Sequence, residues 1–560
     1  MRLLVGTLLL AACGSGLEGD YAAPTSDASG GGTPQCFSSS ECPVGFICSE
    51  FGTCVPPPPP PTDAGTNPDT PPPEVEYKLS EPISSRRYVW VAMTEQDRLA
   101  KIDGTNLEVV SVEVGDQPKI LATLPESDTA VVLDSHNAAA TVVRASTGAV
   151  ASELYPTLPN LNRLAVAPGG RHAVAFFDLN KAIIDAGGLD AVGEVGSFQD
   201  VTVLAVQSQR SVDLTVGFRP REIEHDASGR YAFVVTDDGI SVIDLPAMTA
   251  GGPTIVPPIP IMEDVFADTT GVEVDVVASG QYAVVRRPGV AELRVVSLLG
   301  PTAGEGTTIP LPAVPSDLDL APDGSRVYAV FRAPTPGLAI IDIPGDAFDP
   351  AGITFIDLAN ATSGSLELSK DGTRGMLFTN ATLDERITVV ELDRPNFPHH
   401  TYPLQKAVLT AGFDPTGTKA VVLHTRAPGD PEQATTFDAY IDRKPGYSVL
   451  DIATGFAKLQ ITEVNPKLFT FATTAPRAYV TLDGGDAEGA FVAVQQIELD
   501  SGVVRTIELG SPPDAIGVLP DSNKIFVSQR HNLGRVSFID VETNQVRTLT
   551  GFDLNSQIID

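Results

Sequence analysis

The chain has 560 residues, with 71 acidic against 37 basic side chains, a net charge of −34, 50 Gly, 47 Pro and a single Trp. This length exceeds one small core, so several domains or one large repetitive array are expected. The acidity argues against nucleic-acid binding, which needs clustered Lys and Arg, and no stretch of about 18 apolar residues would form a membrane-spanning helix.

Arg2 precedes an apolar run over residues 3–12, the size of a signal-peptide core and too short to span a bilayer. The run ends in Leu10-Ala11-Ala12-Cys13. This tetrapeptide resembles the lipobox of bacterial lipoproteins, in which a peptidase cuts after small residues and the following Cys carries diacylglycerol. The resemblance implies a signal peptide over 1–12 and a lipid on Cys13. The alternative is a secretory signal cut elsewhere. Gly14 stands where some inner-membrane lipoproteins carry Asp, so the expected address is the bacterial cell envelope, at the outer membrane.

Residues 13–35 form a Gly- and Ser-rich tether. Cys36, Cys42, Cys48 and Cys54 then recur every six residues within 36–54. Four closely spaced cysteines in an exported chain indicate a two-disulfide knot, with three possible pairings. A structural zinc site prefers closer C-x₂₋₄-C spacing. The linker over 55–86 is Pro-rich; ten of residues 56–73 are Pro. Polyproline II over those positions would make a stand-off of roughly 50 Å.

Residues 87–560 repeat themselves. A turn followed by a strand recurs as Ala167-Pro168-Gly169-Gly170-Arg171-His172, Asp226-Ala227-Ser228-Gly229-Arg230-Tyr231 and Ala321-Pro322-Asp323-Gly324-Ser325-Arg326. Later copies are Asp371-Gly372-Thr373-Arg374 and Pro415-Thr416-Gly417-Thr418-Lys419. A strand ending in Ile-Asp or Leu-Asp recurs at Asp103, Asp244, Asp342, Asp451 and Asp540. Second strands are expected to begin near Tyr88, Ala130, His172, Tyr231, Tyr282, Val327, Gly375, Ala420, Ala478 and Ile525, with a mean spacing of about 49 residues. Four short strands per unit, with period-2 alternation and Gly-containing turns, are the pattern of a β-propeller blade. The expected fold is all-β, a propeller of about ten four-stranded blades. The units resemble the YVTN and NHL families of extracytoplasmic propellers, which include binding modules, lactonase-like enzymes and dehydrogenase subunits. No Pro/Gly/Ser linker divides the array, which favours one body. The first unit lacks an inner strand and residues 555–560 supply a spare one, so the two ends are expected to close the ring there.

Chemistry is sparse. The seven histidines form no H-E-x-x-H, and His399-His400 would point to opposite faces of a strand. Four successive inner strands carry carboxylates: Glu222 and Glu224, Glu273 and Asp275, Asp317 and Asp319, then Glu367. Residues i and i+2 share a strand face, so these acids line a channel that binds Ca²⁺ or a cationic ligand, or they are solvated and paired with neighbouring Arg and Lys. Two units are longer, around 179–200 and 425–446. The second holds Phe437, Tyr440, Arg443 and Lys444, residue types that anchor interfaces. The functional expectation is a binding or assembly scaffold for a protein, glycan or other extracellular ligand. The alternative is a lactonase- or hydrolase-like enzyme with carboxylate-held metal.

Overall fold

The computed structural model describes residues 84–552, apart from 95, 117, 119, 125, 126, 135, 136, 147, 148, 265, 266, 268, 359 and 360, and the backbone of 47–48, 54–55 and 556–559. The chain divides into two units, Met1–Pro71 and Pro72–Asp560. In the first, two short antiparallel strands, Ile47–Cys48 and Cys54–Val55, set Cys48 opposite Cys54. The lipidation position Cys13, as well as Cys36 and Cys42, lies outside the described residues.

The second unit is a ring of ten antiparallel blades. The second strands begin at Tyr88, Thr129, His172, Tyr231, Tyr282, Arg326, Arg374, Lys419, Arg477 and Lys524, each within one residue of the position expected from the repeat. Blades are numbered here in that order. Both faces of every blade are apolar, and each face packs on a neighbour. Ten buried clusters result, one per interface. Val174 and Val203 of blade 3 meet Ala232 and Ile243 of blade 4, and Val89 and Ile102 of blade 1 meet Phe526 and Phe538 of blade 10. The last contact closes the circle.

In blades 1, 4, 6, 7, 8 and 9 the recurring basic and acidic residues pair across the blade. The base opening the second strand reaches the acid ending the third: Arg87 to Asp103 at 2.7 Å, Arg230 to Asp244 at 2.7 Å, Arg326 to Asp342 at 2.9 Å and Arg477 to Glu498 at 2.6 Å. Such solvent-screened pairs add little stability. They fix strand register more than they add stability.

Two details depart from expectation. The last strand, Ser556–Ile559, does not fill an inner position. It lies parallel to Val109–Glu113 on the outer edge of blade 1, with Ser556 opposite Val109. The inner place is already taken, because Ser84 bridges to Val89, and Ser85 Oγ accepts a 3.1 Å hydrogen bond from the Trp90 indole. The outer edge was the one in need of a partner. Blade 4 has three strands, Glu222–His225, Tyr231–Thr236 and Gly239–Asp244. The segment in the fourth place holds Pro253, Pro257, Pro258 and Pro260, which cannot donate to a ladder. It touches its neighbours through single bridges, Thr215 with Ile255 and Ile240 with Ile259.

The turn glycines hold neighbouring blades at close range. Gly229 has φ +65°, and a Cβ there would lie 2.0 Å from the Pro168 carbonyl oxygen on the preceding blade's turn. Gly324 and Gly372 stand in the same way against Ala278 and Pro322. Gly169, with φ +76°, has open space around it. Gly169→Ala should therefore cost only the left-handed backbone term, about 1–2 kcal/mol. Gly229→Ala should cost about 2 kcal/mol more, because backbone must move. Urea unfolding of the two variants checks this, and equal losses would show that the close approach carries no energy.

Candidate functional site

In blades 2–10 the inner strand pairs with the second strand, so their register defines levels along the channel. At the level of the third residue of each second strand, four successive blades present Glu224, Asp275, Asp319 and Glu367, opposite Phe233, Val284, Tyr328 and Met376. The same level carries Ala122 and Ala165 on blades 2 and 3, and Gly412, Thr470 and Gly517 on blades 8 to 10. Two residues earlier stand Glu222, Glu273, Asp317 and Ser365. The wall is thus acidic over one arc and small or neutral elsewhere at that level.

The carboxyls do different work. Glu224 Oε2 accepts the Val276 N–H of the next blade at 2.8 Å, and Asp317 Oδ2 accepts the Leu366 N–H of the next at 2.7 Å. These two staple inner strands together. Glu273 pairs with Arg286, whose Nη1 also donates to the Pro315 carbonyl at 3.2 Å. Glu222 and Glu367 are exposed. Three oxygens are shielded from solvent and meet no donor: Glu224 Oε1, Asp275 Oδ2 and Asp319 Oδ2.

Desolvation and crowding disfavour the charged forms. Burial pushes the Glu224 carboxyl up to about 7. Burial, and after it the charges of Glu273 and Glu224, pushes Asp275 up to about 8. Asp319 is raised well above the usual range by burial and by Asp317 and Asp275, and burial raises Asp317. Asp275, Asp317 and Asp319 border a cavity of about 420 Å³, also lined by Glu273, Arg286, Glu367, Phe378, Asn380 and Thr410, and Glu224 continues the row beyond it on blade 4. A single Ca²⁺ would need several of the oxygens to meet at one point. Among the described residues no three His, Cys, Asp or Glu side chains do so. The acids form a row along the wall rather than a cage.

The other candidates lie elsewhere. His399 and His400 are exposed on the outer strand of blade 7, His400 edge-on to Tyr402 with ring centres 4.6 Å apart. The longer unit of blade 8 carries the helix Phe437–Arg443, capped by Thr436. Phe437 is 74% exposed and stacks on Tyr440 with ring centres 6.5 Å apart. Lys444 Nζ lies 5.2 Å from the Tyr440 ring and 3.3 Å from Glu432, and Arg443 donates to the Asp430 carbonyl at 3.0 Å. The two cations thus brace the insertion, leaving Phe437 as its outward anchor. A residue the repeat did not reveal holds it in place. Lys406, buried on blade 8, donates to the Ile441 and Asp442 carbonyls at 2.7 and 2.8 Å, satisfying the end of the helix. The longer unit of blade 3 carries a helix Leu179–Ala186, with Ile184 and Leu189 exposed.

No protein-family model and no curated protein matches this chain. Among solved structures it is similar to apo AztD from Citrobacter koseri, at 15% identity over 75% of this chain and 94% of that one, with a TM-score of 0.36. It is also similar to the dihydro-heme d1 dehydrogenase NirN, at 12% identity over 77% and 74%, with a TM-score of 0.41. A eukaryotic initiation factor aligns at 10% identity over 84% and 97%, with a TM-score of 0.46. None of these likenesses says what this chain binds. The ten-bladed propeller rests on its own strand pairing.

The raised carboxyls give a stability dependence with a definite sign. Their unfolded values lie near 4, and those of Glu224 and Asp275 in the fold near 7 and 8. Between these values the folded chain binds more protons, so stability falls as pH rises. The thermal midpoint should decline from pH 5 to pH 8 without ligand. Asp275→Asn should raise it by several degrees at pH 8 and by clearly less at pH 5. A flat profile, or equal effects at both pH values, would contradict the assignment.

Proposed function

We propose that this chain is a lipid-anchored ligand-binding propeller of the bacterial cell envelope, which takes its ligand into the channel cavity of blades 5 to 8. The observation that carries the binding reading is the polar cavity of about 420 Å³ on one arc of the wall. The groups facing it are carboxyls, one guanidinium, an amide and hydroxyls, which hold a ligand by charge and hydrogen bonding. The anchoring reading is supported by Leu10-Ala11-Ala12-Cys13 behind the apolar run 3–12. The cysteine-rich and Pro-rich segments serve as the stand-off, and the exposed Phe437 of blade 8 offers an anchor for a protein or glycan partner.

Two measurements test this. Cys13→Ser should move the protein from the membrane fraction to the soluble fraction and abolish incorporation of labelled palmitate; a wild-type protein without lipid would overturn the anchoring. For binding, wild type incubated with envelope extract should retain a ligand visible as added mass in native mass spectrometry. Ser365→Trp, which fills the cavity from the inner strand of blade 7, should lose it. Retention by both, or by neither, would overturn the channel as the binding site.

A further inference from the structure

Resting on the channel-binding reading, we infer that the ligand is an elongated organic polycation, a chain bearing ammonium or guanidinium groups at intervals, laid along the carboxyl row that leads from Glu224 on blade 4 into the cavity at Asp275 and Asp319 of blades 5 and 6.

The row is not a requirement of the fold. At the same register level the blades on either side of the arc use Ala, Gly or Thr and still close a ring. The acids therefore carry a cost that the architecture does not demand. Crowded buried carboxylates repel one another. The fixed cation bordering the cavity, Arg286, is already held by Glu273 and the Pro315 carbonyl.

The unused acceptors set the ligand's shape. Blades 4, 5 and 6 each present one shielded carboxyl oxygen that meets no donor, Glu224 Oε1, Asp275 Oδ2 and Asp319 Oδ2. A buried acceptor left without a donor costs about 1–3 kcal/mol, so three in sequence call for donors from outside the chain. They are spaced one per blade and no three converge on a point. One compact ion cannot satisfy them together. A flexible chain with a cationic donor every few atoms can, and charge-assisted hydrogen bonds are the strongest it could make.

Uptake is coupled to protons. The charged and titratable groups facing the row are Glu222 from blade 4, Glu273 and Arg286 from blade 5, Asp317 from blade 6 and Glu367 from blade 7. All but Arg286 are acids, so carboxyl protons substitute for the missing cations when the cavity is empty. The values near 7 and 8 for Glu224 and Asp275 put this exchange around neutrality. The cation binds the deprotonated row, so affinity rises with pH and protons are released on binding.

Isothermal titration of the purified protein at fixed ionic strength tests this, with spermine, trilysine, CaCl₂ and NaCl as probes. Spermine or trilysine should bind saturably, about tenfold or more tighter at pH 8 than at pH 6, with proton release seen as a heat that depends on the buffer. The tighter of the two tells a free polyamine from a basic peptide. The Glu224→Gln, Asp275→Asn, Asp319→Asn triple variant should weaken binding about 100-fold. Asp275→Asn alone should weaken it measurably if the triple variant does not fold. Binding by CaCl₂ as tight as by spermine, unchanged affinity in the variants, or a pH-independent constant would overturn the inference. A neutral or anionic ligand displaced by Ser365→Trp would overturn it too, while leaving the channel-binding reading intact.

Discussion

A blade with two apolar faces cannot end an array. Each sheet here buries Val, Ile, Leu and Phe on both sides, so every sheet needs two neighbours, and ten of them satisfy the need by meeting in a circle. The rest follows from that demand. The turn glycines permit the backbone approach at Gly229 and Gly324 that close packing requires. In six blades an acid–base pair ties the second strand to the third. Inner strands, facing away from these sandwiches, are left to carry polar residues without penalty to the core. The channel wall is therefore where this scaffold can specialise, and it does so on one arc.

Much of the architecture was legible because the repeat is written in backbone chemistry. A Gly with positive φ marks the turn in blades 3 to 8, and in six blades a base and an acid mark the paired strand ends. Both signals survive when apolar residues drift, which is why the second strands fall within a residue of expectation. The position of Ser556–Ile559 was not legible, because inner and outer strands share one alternation and differ only in what is already beside them. Blade 4's missing strand was encoded in Pro253, Pro257, Pro258 and Pro260, a signal masked by the regularity of its neighbours. The acidic row could be read from i, i+2 spacing alone. Which oxygens are stapled to the next blade and which are left over is a matter of ångströms, and no pattern encodes it. Lys406 was invisible for the same reason: its role depends on a helix more than thirty residues away folding back over it.

The row also shows how a site can be built against stability. Glu224 and Asp317 return part of the cost by bonding to backbone N–H groups of the following blades. Asp275 Oδ2 and Asp319 Oδ2 make no such bond. Their protonation relieves the repulsion, and this ties the mechanical coherence of the arc to the acidity of its surroundings.

The outer strand of blade 1 has a consequence for how the molecule comes into being. Val109 and Ser556 are about 450 residues apart in the chain, and closing a loop of that length costs about 5 kcal/mol in chain entropy. Nine blades can assemble from local hairpins as the polypeptide emerges, but the seam must wait for the last residues to be made. Until then the outer edge of blade 1 and the open faces of the first and last blades stand bare. Contacts so distant in sequence form slowly. The unfinished ring is thus the form most exposed to proteases and to pairing with other chains, and a truncation of only the last few residues would leave the outer edge of blade 1 bare even after the blade faces have met.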